Sequence, residues 1–178
     1  MLRWPFPQTQ LTAGELRLER WDTHKHADLL WRALEDPAVW QFAPKGAPAD
    51  ITELTRRLGK RPGGRDRITW VVFQGDEVIG TTSHFRAGED VEIGASYMAP
   101  QTWSTGMNLR VKRIMVDAAR ENGCAGIVLR ADDADVRANK AIQRIGAEFT
   151  HKCGEQMLRP DGTRRVSRFY HLDNDTVL

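Results

Sequence analysis

The chain has two cysteines, Cys124 and Cys153. One sits at the approach to an apolar strand and the other among polar residues. That excludes a disulfide framework and a cysteine metal site, and it points to reduced thiols. No apolar run approaches the roughly 18 residues that a membrane span needs. The first residues, Met1-Leu2-Arg3-Trp4-Pro5-Phe6-Pro7, lack the basic and apolar zones of a signal peptide. An excess of one charge is missing too, since 26 basic residues against 24 acidic ones leave +2. That balance does not favour nucleic acid as a partner. No internal repeat or low-complexity linker interrupts the sequence. The expectation is a soluble cytoplasmic protein with no metal and no membrane role.

What is present is an ordinary globular balance, 40% hydrophobic and 28% charged, which argues against disorder. A length of 178 residues suits one domain, 1–178, with 1–14 as an N-terminal extension and a core from about 15 to 172. Glu15 to Trp21 alternates as a strand, and Thr23 can cap a helix through Leu34 with Ala27, Leu30, Trp31 and Leu34 as its stripe. Asp50 to Leu58 reads as a short helix, broken by the glycines and proline of 59–64. Ile68–Phe73, Val78–Phe85 and Val91–Met98 read as three antiparallel strands joined by tight turns. A helix over Leu109–Asn122, a strand over Ala125–Ala131 and a helix over Ala134–Ile145 follow. A hairpin closes the chain, Ala147–Leu158 and Arg165–Leu172 about Pro160-Asp161-Gly162. The order predicts an α/β fold: a mixed, mostly antiparallel sheet with one central parallel crossover and helices on both faces.

The most informative stretch joins the third of those strands to the helix that follows, Ala99-Pro100-Gln101-Thr102-Trp103-Ser104-Thr105-Gly106-Met107-Asn108. A turn of small residues opening a helix leaves several backbone N–H groups without intrahelical partners. The helix dipole adds partial positive charge there, so the turn suits a pyrophosphate. The plainer reading is that Ser, Thr and Gly simply start a helix well.

These residues, with Ala141-Ile142, Gly146-Ala147, Pro160-Asp161-Gly162 and Arg168-Phe169-Tyr170, resemble the GNAT superfamily of acyl-CoA-dependent N-acetyltransferases, in its ribosomal-protein (RimJ/RimL-type) branch. The resemblance runs from about Leu16 to Leu172. It implies a GNAT acyltransferase fold and acetyl-CoA in a gap between the Glu92 strand and the Ile127 strand. Pantetheine would pair with the backbone near Tyr97 and Met98, and pyrophosphate would sit on the amides from Ser104 through Thr105, Gly106, Met107 and Asn108 to Leu109. The sequence departs from the family at four positions. Trp103 stands where Gln or Arg is common, Asp135 where Asn often contacts pantetheine, and Ala138 and Ile142 where relatives carry a Ser or Tyr proton donor.

Acetyl transfer needs an unprotonated amine and donors where charge grows on the thioester oxygen. The N–H of Met98 is the candidate for that donor. Glu92 is the candidate base, since regular alternation puts it on one face with Gly94, Ser96 and Met98; the alternative is a surface carboxylate. His84, on the neighbouring strand, has an intrinsic pKa near neutrality, although a lone strand histidine is commonly structural. Ser96, Tyr97 and Tyr170 are the hydroxyls near the expected site. Arg137, Asn139 and Lys140 are placed to meet CoA phosphates, and Trp40, Phe42 and Tyr170 to face the acceptor. Two basic clusters, Arg56, Arg57, Lys60, Arg61, Arg65 and Arg67 with Arg159, Arg164, Arg165 and Arg168, read as solvated charge or as a site for an acidic partner. The implied activity is acetyl transfer to a primary amine, either a protein N-terminus or a small molecule. A non-catalytic acyl-CoA sensor is the alternative, and the closing hairpin could pair across a homodimer.

Overall fold

A computed structural model describes residues 1–59 and 66–176. Lys60, Arg61 and Arg65 of the first basic cluster, and most of the break after the second helix, lie outside the described residues. The described residues form one eight-stranded sheet flanked by four α-helices. β1 (Gln10–Ala13) and β2 (Leu16–Arg20) lead to α1 (Thr23–Ala33) and α2 (Ile51–Gly59). Then come β3 (Arg67–Gln74), β4 (Glu77–Ala87), β5 (Asp90–Met98) and α3 (Met107–Glu121). β6 (Gly126–Asp132), α4 (Val136–Arg144), β7 (Glu148–Leu158) and β8 (Arg164–Asp173) complete the chain.

Strand order is β1-β2-β3-β4-β5-β6-β8-β7. All pairings are antiparallel except β5 with β6, the predicted crossover through α3. Two core clusters line the two faces. On one face, Val111, Met115 and Val116 of α3 and Ile142 of α4 pack against Ile93, Met98, Ile127 and Leu129. On the other, Leu30 and Leu34 around α1 and Leu54 and Leu58 of α2 pack against Val71, Phe73 and Val78.

Three local readings change. The first helix is capped by Asp22, whose side chain accepts from the Lys25 amide at 3.0 Å, and not by Thr23. Its stripe includes buried His26, while Trp31 is only half-buried. The segment set apart as an extension forms β1, and Leu2, Phe6 and Leu11 enter the core. Short apolar residues spaced among prolines carry no periodicity, so only the neighbouring surface reveals their place.

Regular alternation fails in β5. Ala95 takes φ +49 and the β4–β5 register slips between Thr81 and Ser83. That is a bulge, in which one extra residue reverses which side chains face which side. Glu92 and Tyr97 therefore look toward α1 and α2, whereas Met98 packs on the α3 side and the Ser96 hydroxyl meets Thr82 at 2.8 Å. The expectation that Glu92 shares a face with Ser96 and Met98 is overturned by this one residue.

Candidate active site

β5 and β6 pair only at Val91–Ile127, Glu92–Val128 and Ile93–Leu129. Beyond Ile93 the strands separate, leaving the backbone of Gly94 to Met98 without a β6 partner. A cleft of about 560 Å³ runs through this opening. On one side of the sheet it is bounded by Asn108, Lys112, Ala138 and Ile142 from α3 and α4, on the other by Trp40, Phe42 and Leu54.

At the α3 end, Gly106 caps the helix with φ +83, a conformation that a residue with a Cβ adopts at a cost. The Met107 amide donates to Thr105 Oγ1 at 3.3 Å and the Leu109 amide to the Gly106 carbonyl at 3.1 Å. These two are therefore already engaged, contrary to the expectation that every amide from Ser104 to Leu109 is open. The amides of Ser104, Thr105, Gly106 and Asn108 donate to no acceptor among the described residues. Asn108 Oδ1 is buried without a partner. Trp103 is half-buried; its indole N–H donates to the Met98 carbonyl at 2.8 Å, and the Arg137 guanidinium lies 3.8 Å over its ring. The pair forms one wall beside the free amides. Asp135 also lines the cleft, with one carboxylate oxygen capping α4 by accepting from the Ala138 amide at 2.9 Å.

Glu92 stands at the other end of the opening, 4% exposed, with Arg130 Nε at 2.9 Å. Its carboxylate lies over Gly94, where an added Cβ would come within 3.5 Å of Glu92 Oε1 and 3.7 Å of the Phe85 ring. Tyr97 stacks on Trp40 with ring centroids 4.5 Å apart. Burial raises its phenol above the ordinary value, against the opposing charges of Arg67, Arg165, Arg57 and Arg130. Arg67 binds Ser83 Oγ at 3.0 Å and the Arg57 carbonyl at 2.9 Å, and burial lowers it to about 10. Trp40 and Phe42, from the irregular segment between α1 and α2, both line the cleft on that side of the sheet.

Four expected site residues lie elsewhere. His84 is fully buried; Nδ1 accepts from Trp70 Nε1 at 3.0 Å and Nε2 donates to the Met115 carbonyl at 2.9 Å. With both ring nitrogens committed, it is a core bridge and not a base. Asn139 donates to the carbonyls of Asp132 and Asp135, each at 2.8 Å, and accepts from the Tyr170 hydroxyl at 2.7 Å. That bracket ties α4 to β6 and β8, so neither Asn139 nor Tyr170 (1% exposed) faces a ligand. Lys140 is exposed and outside the cleft. The hairpin arginines are partly consumed as well: Arg159 clasps buried Asp132 at 2.7 Å and Arg168 pairs with Asp133.

Arg130 and Lys112 are among the cleft residues that the sequence alone did not single out. Arg130, on β6, is found only through its pairing with Glu92. Lys112 had a signal: it lies four residues after Asn108 and on the arc of Met115, Val116 and Ala119, where a charge is out of place. Among the described residues, no cluster of His, Cys, Asp and Glu could hold a metal ion, and no helix is long and apolar enough to cross a membrane.

Residues 15–148 match the acetyltransferase (GNAT) domain. No curated relative matches the sequence. Among solved structures, a probable GNAT-family acetyltransferase from Chromobacterium violaceum superposes with TM-score 0.84 at 20% identity, covering 94% of this chain and 87% of that one. A putative acetyltransferase from T. thermophilus gives 0.81 at 23%, covering 98% and 93%. The Salmonella typhimurium acetyltransferase that modifies the N-terminal serine of 50S ribosomal subunit protein L7/L12 gives 0.76 at 14%, covering 92% and 97%. At such identities the likeness speaks for the fold alone. The domain match spans well over half of the sequence, and with the shared fold it establishes that this chain belongs to the GNAT acetyltransferase family.

Proposed function

We propose that the protein is an acetyl-CoA-dependent N-acetyltransferase that moves an acetyl group to a primary amine by direct attack on the thioester. The carrying observation is a cleft that crosses the sheet, with the orphaned Asn108 oxygen, next in the chain to the free amides of the turn before α3, on one side and the Glu92 carboxylate on the other. The free amides of Ser104, Thr105, Gly106 and Asn108 suit a pyrophosphate, aided by the helix dipole. Asn108 Oδ1 can accept from a pantetheine amide, and the unpaired β5 backbone offers the ladder that such an arm would join. Arg137 on Trp103 adds positive charge at the phosphate end.

An acceptor amine entering past Trp40 and Phe42 reaches the thioester near Glu92. There the carboxylate takes the amine's proton directly or through one water, and the Met98 N–H is the donor for the thioester oxygen. An α-amine, with a pKa near 8, needs less help than a lysine near 10.4. A protein N-terminus or a small-molecule amine is therefore the acceptor class, and the Trp103-to-Asn108 motif supports a RimJ/RimL-like placement.

The test is release of CoA thiol from acetyl-CoA with a panel of amines and N-terminal peptides. Glu92→Gln should lower amine-stimulated release by about 100-fold with acetyl-CoA affinity retained. Unchanged release keeps the enzyme and removes Glu92 as base. Tight acetyl-CoA binding with no turnover on any acceptor supports a sensor, the reading that Ala138 and Ile142 favour because neither carries a transferable proton.

A further inference from the structure

Lys112 is 7% exposed and lines the cleft from α3. Its ammonium makes no hydrogen bond or ion pair among the described residues; burial is the one influence on its titration. One helical turn earlier, Asn108 Oδ1 is buried and unpaired too. Most of the side chain is buried and its ammonium meets the cleft with no counter-charge, an arrangement that is costly to keep, so its partner is something that enters the cleft.

What enters is narrowed by the side of the sheet. Lys112 shares the α3 and α4 face with Ala138 and Ile142, opposite the acceptor face of Trp40, Leu54 and Tyr97. The charged groups around it are otherwise committed. Asp135 caps α4, Arg137 stacks on Trp103, Asp132 is clasped by Arg159, and Arg130 holds Glu92. Ser96 is bonded to Thr82, and the Tyr97 phenol looks to the acceptor side.

Building on the acetyltransferase reading, we infer that Lys112 is the proton donor to the CoA thiolate as the thioester breaks. The amine nitrogen forms its bond to the acetyl carbon, the carbon–sulfur bond breaks, and its electron pair goes to sulfur. Sulfur takes a proton from the Lys112 ammonium, which becomes a neutral amine and is reprotonated from solvent. The nitrogen's surplus proton leaves through Glu92. Burial lowers Lys112 to about 8, near the value of about 8.5 for a free thiol, so the transfer is close to balanced and the ammonium form prevails at neutral pH.

The first arm of the test needs no acceptor. CoA bound to the wild type, to Lys112→Met and to Lys112→Gln is titrated by thiolate ultraviolet absorbance, with desulfo-CoA as blank. In the wild type the bound thiol should ionise at least about one pH unit below the free value. In both variants it should return to that value or above, with CoA affinity little changed. Identical titrations in all three proteins overturn the inference. So does a parallel loss of CoA and desulfo-CoA affinity in the variants, which would make Lys112 a phosphate anchor. Turnover restored by Lys112→Arg, whose guanidinium cannot give up a proton, also overturns it. A wild type that binds no CoA sinks the acetyltransferase reading instead, and this inference with it.

Discussion

His84 and Lys112 are both buried, and burial lowers both, yet the two arise from opposite circumstances. His84 is satisfied: it accepts from Trp70 and donates to Met115, and it is lowered from 6.5 to about 4 by burial despite the Met115 bond. Between those values the unfolded chain binds a proton that the folded chain refuses. Acidification through this window therefore costs stability, about 3 kcal/mol by pH 4, and above pH 6.5 the group contributes no slope. Urea melts at pH 7 and 4.5 should show His84→Gln less stable at pH 7 but losing less on acidification. Equal losses would mean that another group carries the acid sensitivity.

Lys112 is unsatisfied. Its folded value of about 8 lies below 10.5, so its penalty is full below pH 8 and relieved between 8 and 10.5. Lys112→Met should raise neutral-pH stability by about 2 kcal/mol, the pattern of a residue kept for function. A lower melting temperature would show that the ammonium has a stabilising partner.

At the scale of elements, the β5 bulge decides which way the site faces. Ala95 holds a left-handed conformation that alanine adopts at a cost of roughly 1 to 2 kcal/mol. Ala95→Gly should relieve part of that, gaining up to about 1 kcal/mol, while Ala95→Val should lose about 2 kcal/mol. Chemical denaturation measures both, and a stable Ala95→Val would mean that the bulge had moved. α4 shows the same dependence on a neighbour: its residues carry a helical pattern, but Asn139 points into the bracket with Tyr170 because β8 lies between β6 and β7. The closing hairpin is legible from its turn; which of its strands joins the sheet is not.

For the molecule as a whole, the N-terminal segment is part of the core. Phe6 is 1% exposed and its ring lies 4.8 Å from His84. Phe6→Ala should cost about 3 kcal/mol in equilibrium unfolding. A negligible cost would show the segment to be a detachable extension after all.

By itself the sequence determined element order, the single parallel crossover, the turn of small residues that opens α3 at Ser104–Asn108 and the aromatic residues Trp40 and Phe42 that line the cleft. These follow from local periodicity, turn chemistry and a motif contiguous in the chain. The tertiary structure decided what each polar side chain does. His84 and Asn139 bear the residue types of a site and serve the core, because partners distant in sequence occupy their nitrogens. Glu92 stands on the α1 and α2 face, opposite Ser96 and Met98, because one residue bulges, and Lys112 becomes a cleft residue because β5 and β6 separate beside it. Such roles depend on which groups meet across the sheet, and chain spacing carries no record of that.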